Sequence, residues 1–84
     1  MNSDQQLIQN YLESQSQEAF SELVDRYVRL VWATASRVTQ SSLHADDITQ
    51  QTFLLLAKKA NQLVDASNLA GWLHRTTYLL ALNQ

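Results

Sequence analysis

The chain has no proline and a single glycine, Gly71, in 84 residues. Proline and glycine are the residues that most often break a helix or turn a chain, and such poverty of both leaves a helical domain as the natural outcome. Sheets need frequent tight turns built from residues this sequence lacks. The fold class expected is therefore all-α: a compact bundle of three main helices plus a short N-terminal helix, forming one domain over residues 1–84.

Hydrophobic spacing divides the chain into four segments. The first helix is expected from about Asp4 to Leu12, with Ser3 and Gln6 at capping-box spacing and Leu7, Ile8, Tyr11 and Leu12 as its apolar set. The second runs from about Gln17 to Thr39, capped by Ser14 or Ser16. Its stripe is Phe20, Leu23, Val24, Tyr27, Val28, Val31, Ala35 and Val38. The break "TQSSLH" follows, and a third helix is expected from about Leu43 to Leu63. Ala45, Ile48, Thr52, Leu55, Leu56, Ala60 and Leu63 form its inward stripe, widened by Phe53 and Leu54. After "VDASN" a fourth helix, capped by Ser67 or Asn68, runs from about Leu69 to the end, with Leu69, Trp72, Leu73, Thr76 and Leu80 inward. The expected core comprises Phe20, Leu23, Val24, Tyr27, Val31, Ile48, Leu55, Leu56, Trp72 and Leu73. Trp32 falls beside the second helix's stripe, half-buried against the first or third helix.

Several function classes are disfavoured. Without cysteine there is neither a disulfide nor a thiolate metal site. His44 and Asp47 can share a helix face, but two such ligands are too few to hold a metal. No metal or other cofactor is expected. No glycine-rich phosphate loop occurs, and no serine, histidine and acid converge at a recognisable spacing. Asp46 and Asp47 are chain neighbours and point about 100° apart on a helix, which suits them poorly to acid–base work across a substrate. An enzyme is not expected. No apolar run approaches the roughly 20 residues that span a bilayer, and "MNSDQQLIQNYLES" has no signal-peptide character. The expected location is cytoplasmic, with no membrane partner.

The formal net charge is −2, whereas nucleic-acid binders usually carry a basic excess. The distribution is uneven. All eight acids lie at or before Asp65, and beyond it stand only His74 and Arg75 as basic side chains. A phosphate contact is expected at the C-terminal end if anywhere.

The stretch "HADDITQQTFLLLAKKA", residues 44–60, carries the most pointed pattern. Asp47, Gln50, Gln51, Leu54 and Lys58 recur at i, i+3, i+4, i+7 and i+11 and share one helix face. With Asp46 beside them, they form either a solvated face, with both acids favoured by the helix dipole, or a docking surface. Arg75 and Tyr78 form an i, i+3 pair on the outer side of the fourth helix. A cation beside an aromatic suits stacking on single-stranded bases.

Three stretches taken together, "EAFSELVDRYVRLVWATASR", "ADDITQQTFLLLAKKA" and "LAGWLHRTT", resemble region 2 of the extracytoplasmic-function sigma factors of the sigma-70 family. The resemblance rests on Ala19-Phe20 with Leu23 and Arg26-Tyr27, on Asp47-x-x-Gln50 before Phe53, and on Trp72-Leu73-His74-Arg75. It implies that the third helix docks on the clamp helices of the RNA polymerase β′ subunit. The matching positions are Asp47 and Gln50, within a face of Asp46, Gln51, Leu54 and Lys58. It also implies that the loop Val64–Asn68 and the fourth helix read the non-template strand of the promoter −10 element. Val64, Asp65, Ser67, Asn68, His74, Arg75 and Tyr78 are the contact residues so implied. An anti-sigma protein is a further partner the resemblance suggests.

The sequence departs from the family pattern in three places. Gln51 stands where a glutamate is common. The end, "YLLALNQ", carries less arginine than is usual, so phosphate contact should be weak. The family's further domain, which reads the −35 element, is expected to be absent. Leu79, Leu80 and Leu82 leave the fourth helix with an apolar outer end, and a homodimer through that helix is the expectation they raise.

Overall fold

A computed structural model describes residues 2–84, and four helices make up its regular structure: α1 (Asp4–Ser14), α2 (Gln17–Thr39), α3 (Ser42–Leu63) and α4 (Leu69–Leu82). The all-α expectation holds. Each helix starts on a side-chain cap. Ser3 and Gln6 exchange both bonds of a capping box on α1. Ser16 accepts from the Ala19 amide, Ser41 from His44 and Asn68 from Gly71. These oxygens satisfy amides that would otherwise lack a helical partner.

The helices stop without glycine. Gln15 and Gln40 take the left-handed conformation at φ 51° and 55°, and the Gln40 amide closes α2 on the Ser36 carbonyl at 2.8 Å. The only glycine is used at a start. A Cβ on Gly71 would lie 2.5 Å from the Asn68 side-chain nitrogen, so the missing side chain is what lets the Asn68 cap fold over the first turn of α4.

α2 is the central element and packs against α1, α3 and α4. The main core gathers Leu7 and Ile8 of α1, Leu23 and Val31 of α2, Phe53 and Leu56 of α3, and Leu69 and Leu73 of α4. A smaller cluster of Ala35, Ala45, Ile48 and Ala81 closes the opposite end. Between the two, each of α2, α3 and α4 contributes one buried threonine: Thr34, Thr52 and Thr77. Each hydroxyl donates to the carbonyl four residues back, on Leu30, Ile48 and Leu73 respectively. A buried hydroxyl is tolerable only when paired, and the local back-bond supplies that pairing.

Several expectations are corrected. α1 continues to Ser14 rather than ending near Leu12. α3 begins at Ser42, which puts Asp46 and Asp47 in its second turn; the helix dipole acts mainly on the first, which holds no acid. The buried row of α4 is Leu69, Leu73, Thr77 and Ala81, rotated from the expected Trp72, Thr76 and Leu80. Those three are only partly buried, whereas Leu69 and Leu73 are buried as expected. Phe20, Val24, Tyr27 and Trp72 lie half-buried around the main core, and Leu55 is likewise half-buried. Ala19, Thr34, Thr77 and Ala81 take fully buried places not foreseen. Leu54 does not widen the buried stripe of α3: it is 62% exposed. Leu79 and Leu82 are exposed as expected, whereas Leu80 packs on the smaller cluster.

Candidate functional site

The outer face of α3 gathers the residues singled out by spacing. Asp47, Gln50, Gln51, Leu54 and Lys58 are all exposed. Among the described residues the ion pairs are those of Arg26 with Asp4 and Glu22. Asp47 and Lys58 have no ion-pair partner among the described residues. Asp46 differs: its carboxylate accepts from the Trp32 indole nitrogen at 2.8 Å. That bond ties α2 to α3 and places the half-exposed Trp32 against α3. Asp46 thus works partly as an internal brace, while Asp47, one residue on, points away from it.

Leu54 stands as a ridge between two grooves. Toward α2 lies an apolar groove floored by Phe20, Val24, Val28 and Phe53 and edged by Asp46 and Gln50. Thr49 also lines it, and the Thr49 hydroxyl is buried with no hydrogen-bond partner. Toward α4 lies a second groove with Gln51, Leu55, Lys58 and Leu80 on its walls. A face with an exposed leucine, flanking apolar grooves and unpaired polar ends can grip another helix, with polar groups fixing register and apolar ones supplying area.

The second group of candidates sits on the α3–α4 loop and α4. Val64 packs its side chain against the main core, leaving only its backbone for an outside contact. Asp65, Ser67 and Asn68 are exposed. The Asn68 side-chain oxygen is held 2.9 Å from the Gly71 amide, so its cap duty leaves mainly the amide nitrogen for other partners. His74, Arg75 and Tyr78 are exposed on α4, and Tyr78 retains 44% of its surface.

Sequence spacing could not find the loop's neighbour. The Gln5 side-chain nitrogen donates to the Ala66 carbonyl at 3.3 Å across 61 residues of chain. Ser3, Asp4 and Gln5 face Ala66, Ser67 and Leu69 across a shallow cleft. Asp4 is anchored from behind. Its carboxylate accepts from Arg26 at 2.8 Å and from the Tyr27 hydroxyl, and Arg26 also binds Glu22 and the Asn2 carbonyl. Burial, then the hydrogen bond to Asp4 and its negative charge, push the Tyr27 phenol up to about 12, partly opposed by Arg26.

No described helix is long and apolar enough to cross a membrane, and no group of three or more potential ligands among the described residues could hold a metal. Comparison with protein families matches residues 23–84 to sigma-70 region 2. That is about three quarters of the chain, from the second turn of α2 through α4. The chain belongs to the sigma-70 region 2 family. Members serve in RNA polymerase binding and promoter recognition, a non-enzymatic role in transcription initiation. The match takes in the whole α3 face, the α3–α4 loop and α4 of this sigma region 2 domain, while α1 and Ala19-Phe20 lie before it. Among curated proteins and among solved structures, nothing matches the chain.

Proposed function

We propose that this sigma region 2 domain is of the extracytoplasmic-function type, that α3 docks on the β′ clamp helices of RNA polymerase, and that the α3–α4 loop with α4 reads the opened −10 element. The observation that carries the docking half is the α3 face itself. Asp47, Gln50, Gln51 and Lys58 are exposed around the Leu54 ridge, with an apolar groove on each side. Apolar grooves on both sides of a leucine that is 62% exposed give this face contact area for a partner helix. Gln51 offers a neutral hydrogen bond where an acid is common in the resembled group.

The DNA half is supported by Ser67, the Asn68 amide nitrogen, Arg75 and Tyr78, all exposed on one loop–helix unit. Extruding a base costs a few kcal/mol of stacking, which strand opening by the polymerase assembly lowers. Arg75, the one lysine or arginine beyond Asp65, supplies little phosphate attraction, so polymerase must hold the domain in place. It acts in the cytoplasm, and an anti-sigma protein covering the α3 face would silence it.

The test is binding of a labelled single-stranded −10 oligonucleotide to core RNA polymerase with and without the chain. Binding that requires the chain is expected. Equal binding by core alone would count against promoter reading. A second reading, a helical interaction module that pairs with itself, rests on Leu79 and Leu82, 47% and 55% exposed. A monomer at all concentrations in sedimentation would remove it.

A further inference from the structure

We infer that Trp32 is an anchor of the polymerase-docking surface, which thereby extends from α3 onto α2, and that Asp46 is a positioning residue that holds the indole ready for the partner helix. The inference rests on the proposed docking of α3. Trp32 is not among the residues on which the family resemblance rests.

The first observation is the course of the groove between α2 and α3. Phe20, Val24 and Val28 floor it from α2. They recur every four residues, and Trp32 is the next member of the same row. On the α3 side the wall runs from Ala57 through Phe53 and Thr49 to Asp46. The Trp32 indole nitrogen donates to Asp46 at 2.8 Å, which closes the two rows on each other at that end. The groove's other edge, Gln50 and Leu54, is also the edge of the α3 docking face. The groove is thus continuous with that face, and a β′ clamp helix seated on Leu54 reaches the indole by following it.

The second observation is the state of the indole. Its one polar atom is satisfied by Asp46, yet the residue is 38% exposed. What it offers a partner is apolar ring. Tryptophan is enriched among the residues that dominate interface affinity, because its ring supplies a large contact area with few rotatable bonds to freeze. The bond to Asp46 restricts the ring before the partner arrives, and such preorganisation lowers the ordering cost of binding. Asp46 itself spends its carboxylate on this task, whereas Asp47 and Gln50 remain for direct polar contacts.

The test titrates the chain with a tryptophan-free β′ clamp-helix fragment. In the Trp72→Phe variant all tryptophan fluorescence comes from Trp32. Its emission should shift to the blue on binding, and iodide should quench it less. Affinities measured in the otherwise wild-type chain keep the question open to refutation if Trp72→Phe does not fold. There, Trp32→Ala should bind about tenfold more weakly or worse, with helicity unchanged. Trp32→Phe, which keeps an aromatic ring, should lose less. Asp46→Asn retains an oxygen acceptor for the indole and should bind more tightly than Asp46→Ala. Binding with unaltered Trp32 emission, or equal affinity of folded Trp32→Ala and wild type, would overturn the anchor. Equal affinities of Asp46→Asn and Asp46→Ala would overturn the positioning role. No binding by the wild-type chain would instead overturn the docking reading on which the inference rests.

Discussion

At the scale of single residues, folding places the phenol of Tyr27 in a half-buried site against Asp4. Its proton lies on a bond to the Asp4 carboxylate, and removing it would set two anions together in a half-buried site. Burial first, then the bond to Asp4 and its charge, push the folded phenol up to about 12, above its ordinary value of 10.0. The folded state holds its proton more tightly than the unfolded state, so stability falls as pH rises through this window. Its contribution is fully present below about pH 10 and lost as pH climbs through about 12. Chemical denaturation between those values should show a steeper loss for the wild type than for Tyr27→Phe. Parallel curves for the two proteins would rule out the Tyr27 hydroxyl as the cause. None of this was visible in the sequence. Asp4 reads there as a first-turn acid and Tyr27 as one member of an apolar stripe, because the bond joins residues 23 apart on different helices. Asp46 is a similar case: its pairing with Trp32 depends on how α2 crosses α3, which spacing along one helix does not contain.

At the scale of elements, the caps were legible and the inward faces less so. Serine and asparagine before an apolar-periodic run mark a helix start by direct chemistry: Ser3 caps as expected, and Ser16 and Asn68 are the ones used of the pairs Ser14 or Ser16 and Ser67 or Asn68. The face of α4 is different. Its apolar residues almost encircle the helix, so periodicity pointed to Trp72, Thr76 and Leu80 beside Leu69 and Leu73, whereas packing kept Leu69 and Leu73 and added Thr77 and Ala81. Ala81 joins Ala35, Ala45 and Ile48 where α2, α3 and α4 converge, while Leu80 packs on the edge of that cluster. The helix ends carry a cost that sequence did not announce. Gln40 adopts φ 55°, a conformation that disfavours a side chain by about 1–2 kcal/mol, offset in part by the greater unfolded freedom of glycine. Gln40→Gly should accordingly raise stability by about 0.5–1 kcal/mol, read as a higher denaturation midpoint. An unchanged or lower midpoint would mean that the Gln40 side chain makes a compensating contact.

At the scale of the whole molecule, one long central helix organises the domain and leaves α3 with an outward face. Bundle interiors need only one side of each helix, and α3 spends its inner side on Ala45, Ile48, Thr52, Leu56 and Ala60. The polar set on the opposite side was readable from spacing, since i, i+3, i+4 and i+7 alone place Asp47, Gln50, Gln51 and Leu54 together. The grooves beside it were not, because they are made with α2 and α4. The cleft at Gln5 belongs to the same class, since it exists only after the chain's beginning folds back on the α3–α4 loop. Net acidity also makes sense at this scale. A domain delivered to DNA by polymerase does not need the basic excess that an independent binder needs.

The central claim is that the α3 face is the polymerase contact. Its most direct measurement is binding of the chain to a purified β′ clamp-helix fragment, wild type against the Asp47→Ala, Gln50→Ala double variant, with circular dichroism on both. Both side chains are exposed, so helicity should be unchanged. Affinity should fall by about tenfold or more, the loss expected when two polar contacts of a docking face are truncated. Equal affinity of the two folded proteins, or no binding by the wild type, would contradict the claim.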